Sequence, residues 1–226
     1  MPHSHTLSKL LIVGGTFCPP HQAHLAIVSA VTKHFAFDNV MFVPCKEPVI
    51  DKIAATPVSH RIAMLRLALK PYPNFTIDLC EIDRDSPSYM VTTLADFRQR
   101  FGDQVSITLL IGMDNFLQLP RWHRWEDLLT LCHLLVVDRA GIPRELSPTL
   151  RTFLAKHHAT TTHNLSTTPY GTIEQYDAGQ YDISSTAIRA MIQAAIMSGA
   201  NTDAIIAPEV REYIKEHQLF LKSSWT

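Results

Sequence analysis

Short apolar runs alternate along the chain with stretches whose apolar positions recur every three or four residues. Lys9 to Val13 (KLLIV) is one such run, ended by Gly14-Gly15, and has the pattern of a strand buried on both faces of a parallel sheet. From Ala23 to Phe35 the positions Leu25, Ile27, Val28, Val31 and Phe35 follow helical spacing. Val40 to Val43 (VMFV), stopped by Pro44, completes a strand-helix-strand unit. Ser59 to Leu69 predicts a second helix, Phe75 to Leu79 an alternating strand, and Ser88 to Phe101 a third helix. Val105 to Ile111 (VSITLLI) reads as a strong strand, Asp127 to Leu131 as a helical end, and Leu134 to Val137 (LLVV) as another buried strand. Past Asp138 the pattern weakens. The segment from about 140 to 175 reads as irregular, with an exposed Thr-rich loop from Ala159 to Gly171 and a return to the sheet over Gly171 to Gln175. A helix opens near Ile183, capped by Ser184 or Ser185, and a last one runs from Pro208 to His217. This alternation predicts an α/β fold, a doubly wound parallel sheet with right-handed crossovers. Residues 1–8 read as a flexible N-terminus. Residues 9–226 read as one domain, with a small helical C-terminal portion from about residue 184.

Composition narrows the function. The 226 residues carry 20 basic and 21 acidic side chains, a formal charge of -1, so no broad positive field is available to hold nucleic acid by its phosphates. With 46% hydrophobic and 18% charged residues, a chain of this size buries about 70% of its unfolded surface without a structural metal or disulfides. The four cysteines, Cys18, Cys45, Cys80 and Cys132, are widely spaced with no CxxC pair, the usage of reduced thiols in a cytosol. No apolar run approaches the roughly 20 residues that cross a bilayer, and residues 1–8 lack the features of a signal peptide. The expectation is a cytoplasmic protein with neither a membrane nor a nucleic-acid partner. A homo-oligomer is compatible with the sequence but not required by it.

The chemistry concentrates where the first strand gives way to the first helix: Gly14-Gly15-Thr16-Phe17-Cys18-Pro19-Pro20-His21-Gln22-Ala23-His24. Glycines allow a tight turn there, and a helix N-terminus favours a phosphate. His21 and His24, three residues apart, project from one side of the first turn and reach the same anion. Far along the chain, Ile183-Ser184-Ser185-Thr186-Ala187-Ile188-Arg189 is another helix start, with hydroxyls and amides for phosphate oxygens and an arginine one turn on. Either alone has a bland reading, as a capped helix or an incidental histidine pair. Together they resemble the GxFDPxHxGH and ISSTxxR motifs of the nucleotidyltransferase superfamily, and so imply its Rossmann-like nucleotidyltransferase fold.

Further segments narrow the resemblance to bacterial nicotinate-nucleotide adenylyltransferases. Ile111-Gly112-Met113-Asp114-Asn115 resembles that family's IGxDxL segment, Leu119-Pro120-Arg121-Trp122 its xPxW element, Pro87-Ser88-Tyr89 with Thr93-Leu94 its PSYTxxTL helix start, and Val137 to Gly141 its VxxRPG segment. The resemblance runs from about Leu10 to Phe220. It implies transfer of the adenylyl group of ATP to nicotinate mononucleotide, with Mg2+ arriving on ATP and no protein metal site. Catalytic roles fall to His21, His24 and Arg189. ATP contacts fall to Gly14, Gly15, Thr16, Phe17, Gly112, Asp114, Ile183, Ser184, Ser185 and Thr186, together with the catalytic three. Acceptor contacts fall to Lys52, Ser88, Tyr89, Met90, Trp122 and Arg139.

The chain departs from the family at several points. Cys18 replaces the usual Asp, Ala23 the usual Gly and Met90 the usual Thr. The PPHK run is absent, which leaves Lys46 and Lys52 as competing phosphate-binding lysines. Cys18 in place of Asp reads either as a change in loop rigidity or local charge at the phosphates, or as a thiol activated by the helix start and the nearby histidines. His157, His158 and His163 read as solvated loop residues rather than metal ligands. These departures keep open transfer to nicotinamide mononucleotide or another phosphate acceptor, and, from a different class, a catalytically weakened nucleotide-binding sensor.

Overall fold

The computed structural model describes residues 7–50, 54, 56–138, 145–158, 164–178, 185–198 and 202–220. Six parallel strands form its sheet: β1 (Ser8–Gly15), β2 (Asn39–Pro44), β3 (Phe75–Ile77), β4 (Val105–Gly112), β5 (His133–Val137) and β6 (Ile173–Tyr176). They lie in the order β3-β2-β1-β4-β5-β6, the doubly wound order expected from the alternation of apolar runs. The order reverses between β1 and β4, whose register runs from Ser8 opposite Val105 to Val13 opposite Leu110. Both chains therefore emerge at the same edge of the sheet, β1 on Gly14-Gly15 and β4 on Gly112. In open α/β sheets this carboxyl-edge crevice is where ligands bind.

Nine helices accompany the strands among the described residues: α1 (Gln22–Phe35), α2 (Val58–Leu69), α3 (Cys80–Asp83), α4 (Met90–Phe101), α5 (Met113–Leu117), α6 (Pro148–His157), α7 (Asn164–Thr167), α8 (Ser185–Ser198) and α9 (Pro208–Glu216). Because side chains of a strand alternate, Leu11 and Val13 of β1 pack with residues of α1, α2, α8 and α9, while Leu10 and Ile12 pack with residues of α4, α5 and the 3-10 segments around Trp125. Two apolar layers thus sandwich the sheet. This is why its central strands read as unbroken apolar runs.

The structure corrects several boundaries. The first strand begins at Ser8, inside the stretch read as a flexible N-terminus, because the Asp38 carboxylate accepts the Lys9 N–H (2.7 Å) and the Ser8 hydroxyl (3.3 Å). The third helix begins at Met90 rather than Ser88, since Tyr89 is extended at its N-cap. The segment from 140 to 175 is not irregular throughout: it holds α6, α7 and β6. Helix α6 buries only Leu150 and so lacks a wide apolar stripe. Within the Thr-rich loop, the described residues 164–171 are tied down too, since Leu165 is buried and its carbonyl accepts the Ser106 hydroxyl (2.7 Å). His157 belongs to α6, where its Nδ1 lies 3.2 Å from the Gly171 carbonyl; His163 is outside the described residues.

Two polar clamps fasten the far edge. Arg98 donates to the carbonyls of Leu131 (2.6 Å), Gly102 (2.6 Å), Val105 (2.8 Å) and Pro169 (2.9 Å), joining α4 to the starts of β4 and β5. His133 accepts the Thr172 N–H on Nδ1 (3.2 Å) and faces the Thr168 carbonyl with Nε2 (2.8 Å). Among the described residues no helix is long and apolar enough to cross a membrane.

Candidate active site

The turn after β1 is built for close approach. A Cβ added to Gly14 would lie 2.6 Å from Met90 Cε, and one added to Gly15 would press on the Phe17 ring at 3.2 Å. Phe17 takes a left-handed φ of 49° and turns its ring into the core, against Phe42 (centroids 5.7 Å apart) and edge-on to His24 (6.0 Å). Cys18 is buried with Sγ 3.3 Å from the Thr56 hydroxyl, which argues against an accessible reactive thiol.

His21 and His24 are brought together as the spacing predicts, but in a different relation. His21 is the extended N-cap of α1 (φ -139°), and its Nδ1 accepts the His24 N–H at 3.4 Å. Their rings stack, with centroids 3.5 Å apart and planes at 23°. His21 is buried (1% exposed), whereas His24 is half-buried. The first helical N–H is already used, as Gln22 donates to the Ile205 carbonyl (2.8 Å).

The second motif reaches the first through space. Ser185 and Thr186 open α8, and one turn on Arg189 Nη1 donates to the Cys18 carbonyl (3.2 Å), across 171 residues of sequence. Burial of Ile188 and Ile192 in the layer that contains Val13, Phe17 and Leu25 sets this approach. Ile183 and Ser184 lie outside the described residues.

Around the end of β4, Gly112 caps α5 and half-buried Asp114 occupies its first turn. Trp122 follows a 3-10 turn closed by its own N–H on the Leu119 carbonyl (2.9 Å), and packs half-buried on the core. Its neighbour His123 stacks on Tyr89 (4.3 Å, 26°), joining this turn to the start of α4. Sequence reasoning missed His123; an exposed aromatic-like side chain directly after Trp122 was the available signal.

The Ser88-Tyr89-Met90 start is held from below by Glu81, which is 1% exposed and accepts the Thr93 hydroxyl at 2.6 Å. Burial pushes the Glu81 carboxyl above its ordinary value, against the opposing pull of the Thr93 and Ser88 hydroxyls and of Arg84. Ser88 Oγ in turn accepts the Lys46 N–H (3.0 Å). Lys46 Nζ is engaged at the same turn, with the Arg84 carbonyl (3.0 Å) and the Asp85 carboxylate (3.7 Å). Lys46 therefore serves that turn, while Lys52 and Arg139 lie outside the described residues.

Another unforeseen residue is Arg61, also 1% exposed, which donates to the carbonyls of Thr16, Cys45 and Lys46. It occupies the first position of the buried stripe Arg61, Met64, Leu65, Ala68 and Leu69 on α2. An arginine in an apolar stripe is a signal that spacing alone provides.

Comparison with known proteins identifies the family. The profile of the cytidylyltransferase-like family matches residues 12–191. A probable nicotinate-nucleotide adenylyltransferase of Legionella pneumophila (strain Paris) is 40% identical over 215 residues, covering 95% of this chain and all of that protein. One of Acidithiobacillus ferrooxidans is 36% identical over 220 residues, covering 96% of this chain and 98% of that protein. Among solved structures, Plasmodium falciparum nicotinic acid mononucleotide adenylyltransferase complexed with NaAD shares the fold, with a TM-score of 0.69 at 15% identity over 94% of this chain and 97% of that one. Strand order, the meeting of the two helix starts and the extent of these matches agree: the chain belongs to the nicotinate-nucleotide adenylyltransferase family.

Proposed function

We propose that the protein joins ATP and nicotinate mononucleotide to give nicotinate adenine dinucleotide and pyrophosphate, in the cytoplasm. The observation that carries this reading is Arg189 at the Cys18 carbonyl, which unites both phosphate-binding helix starts at the point where the strand order reverses. An oxygen of the acceptor phosphate attacks the α-phosphorus of ATP. The bond from that phosphorus to the bridging oxygen breaks, and pyrophosphate leaves with the electron pair. No covalent enzyme intermediate is needed, so catalysis consists of positioning and charge neutralisation. In this reading the stacked His21–His24 pair and Arg189 face the triphosphate, with Ser185 and Thr186 at the leaving phosphates. Asp114 accepts from the ribose of ATP, and Trp122 offers a flat partner to the electron-poor pyridine ring. Mg2+ is proposed to travel on the triphosphate. A triphosphate with water supplies the oxygen ligands this cation prefers.

The direct test is pyrophosphate release from Mg-ATP with nicotinate mononucleotide and, separately, nicotinamide mononucleotide. Release with the acid should be faster by about tenfold or more, a discrimination within reach of a site that pairs a charged group. Preference for the amide would assign the sister activity. A folded protein that binds ATP and releases nothing with either would point to another phosphate acceptor or to a sensor.

Contact between Gly14 and Met90 gives a second expectation. Gly14→Ala pushes its new methyl onto Met90 Cε, the flexible end of a side chain in the acceptor region, so the melting temperature changes little while the acceptor KM rises. The rise is expected at about threefold to tenfold and should shrink in a Met90→Thr background, where the colliding atom is gone. Steady-state kinetics of the double-mutant cycle reads this coupling, and strict additivity would show that the two residues act independently.

A further inference from the structure

We propose that Arg61 is a positioning residue of the reaction, holding the tips of β1 and β2 so that one peptide N–H faces the nucleotide and another holds the acceptor-side helix start. The proposal rests on the adenylyl-transfer reading for its kinetic readout only.

Arg61 lies on α2, outside every motif that marks the site, yet its guanidinium ends beneath the glycine turn. Nη1 donates to the Thr16 carbonyl at 2.8 Å, and Nη2 donates to the carbonyls of Cys45 (2.8 Å) and Lys46 (2.7 Å). A trans peptide points its C=O and its N–H in opposite directions. Drawing a carbonyl inward therefore aims the next residue's N–H outward. At Cys45 the consequence is visible: the N–H of the same peptide, that of Lys46, donates to Ser88 Oγ at 3.0 Å on the far side. The Thr16 carbonyl is drawn in the same way, which turns the Phe17 N–H away from Arg61. No main-chain carbonyl takes this N–H among the described residues. It belongs to the turn between the two glycines and His21, and a phosphate oxygen of ATP is the acceptor it suits. One guanidinium thus sets a donor on the nucleotide side and a tether on the acceptor side.

Only an arginine can do this. Its rigid fork offers several donors at fixed angles, whereas a lysine ammonium presents one small centre on a flexible stem. Electrostatics adds to geometry. Arg61 makes no ion pair with a carboxylate among the described residues, and its Nε has no hydrogen-bond partner there. Three carbonyl dipoles hold a buried positive charge under a turn meant for a polyanion, which favours triphosphate binding further.

The experiment combines kinetics of Arg61→Lys and Arg61→Met with the amide spectrum of the wild-type protein. Both variants are assayed well below their melting temperatures, with circular dichroism to establish the fold. Turnover should fall about 10- to 100-fold in Arg61→Lys and further in Arg61→Met, the scale expected for a misplaced donor. KM for ATP should change less than kcat. In wild-type protein labelled with 15N-phenylalanine, the Phe17 amide signal should shift on addition of Mg-ATP, and in Arg61→Lys that shift should largely vanish. Native kcat and KM in Arg61→Lys, with only the melting temperature lowered, would overturn the proposal and leave a purely structural arginine. So would a wild-type Phe17 amide that ignores saturating Mg-ATP, whatever becomes of the variants. A wild-type protein that makes no dinucleotide but shows the Phe17 shift, lost in Arg61→Lys, would sink the adenylyl-transfer reading and support Arg61 as an organiser of nucleotide binding.

Discussion

Replacing His24 with alanine should lower turnover by about 10²- to 10³-fold, the usual cost of removing one group that neutralises developing charge in a preorganised site. His24 is the third residue of α1, half-buried, with its ring over His21 and against the edge of Phe17. Alanine is the strongest helix former, and the main-chain bond from residue 24 to the His21 carbonyl (3.0 Å) needs no side chain. The helix and fold should therefore survive. His21 offers a less clean test. It is buried and caps the helix, so its removal also costs about 1 kcal/mol of stability and confounds rate with fold. The measurement is kcat at saturating Mg-ATP and nicotinate mononucleotide, beside a melting curve. Wild-type turnover in a normally folded His24→Ala protein would remove this side chain from the chemistry.

Stability should drop steeply as the pH falls from about 6.5 toward 4, with His133 a main cause. Burial depresses the His133 imidazole from 6.5 to about 4, opposed by its bond to the Thr168 carbonyl and aided by nearby Arg98. In the folded protein Nδ1 accepts the Thr172 N–H, so the ring is neutral, with its proton on Nε2 toward Thr168. The unfolded chain takes up a proton on this histidine as the pH passes 6.5, whereas the fold resists until about 4. The unfolded state binds more protons across that window, so stability is complete above 6.5 and is lost on the way down. A shift of this size amounts to about 3 kcal/mol, a large part of a typical domain's margin. Urea unfolding at pH 7, 6, 5 and 4 reads it directly. His133→Asn keeps a donor and an acceptor but cannot titrate, so it should be less stable at pH 7 and flatter below. Equal slopes for the two proteins would show that other groups drive the acid loss.

The strands were legible because β1, β4 and β5 are covered on both faces and must be apolar throughout, a pattern that survives without knowledge of the partners. The helix α6 was not, since it buries only Leu150 and presents polar residues elsewhere. Glycines, histidines and the serine-threonine-arginine run were legible as a resemblance, because each motif is contiguous in sequence. Arg61, Glu81 and His123 were not, because their partners lie on other elements: Thr16 and Cys45 for Arg61, Thr93 for Glu81, Tyr89 for His123.

Local and periodic features are thus readable in the chain alone: where its direction must turn, which faces need cover, and which residue types stand at the two helix starts. Folding in three dimensions is needed before His21 and His24 stack, before Arg189 reaches the Cys18 carbonyl, and before one buried guanidinium joins two strand tips. One cause is common to all three. A hydrogen bond or ring contact forms only when backbone direction brings its partners within about 3 to 4 Å, and across 171 residues that direction is set by sheet order and core packing, which no short stretch of sequence encodes.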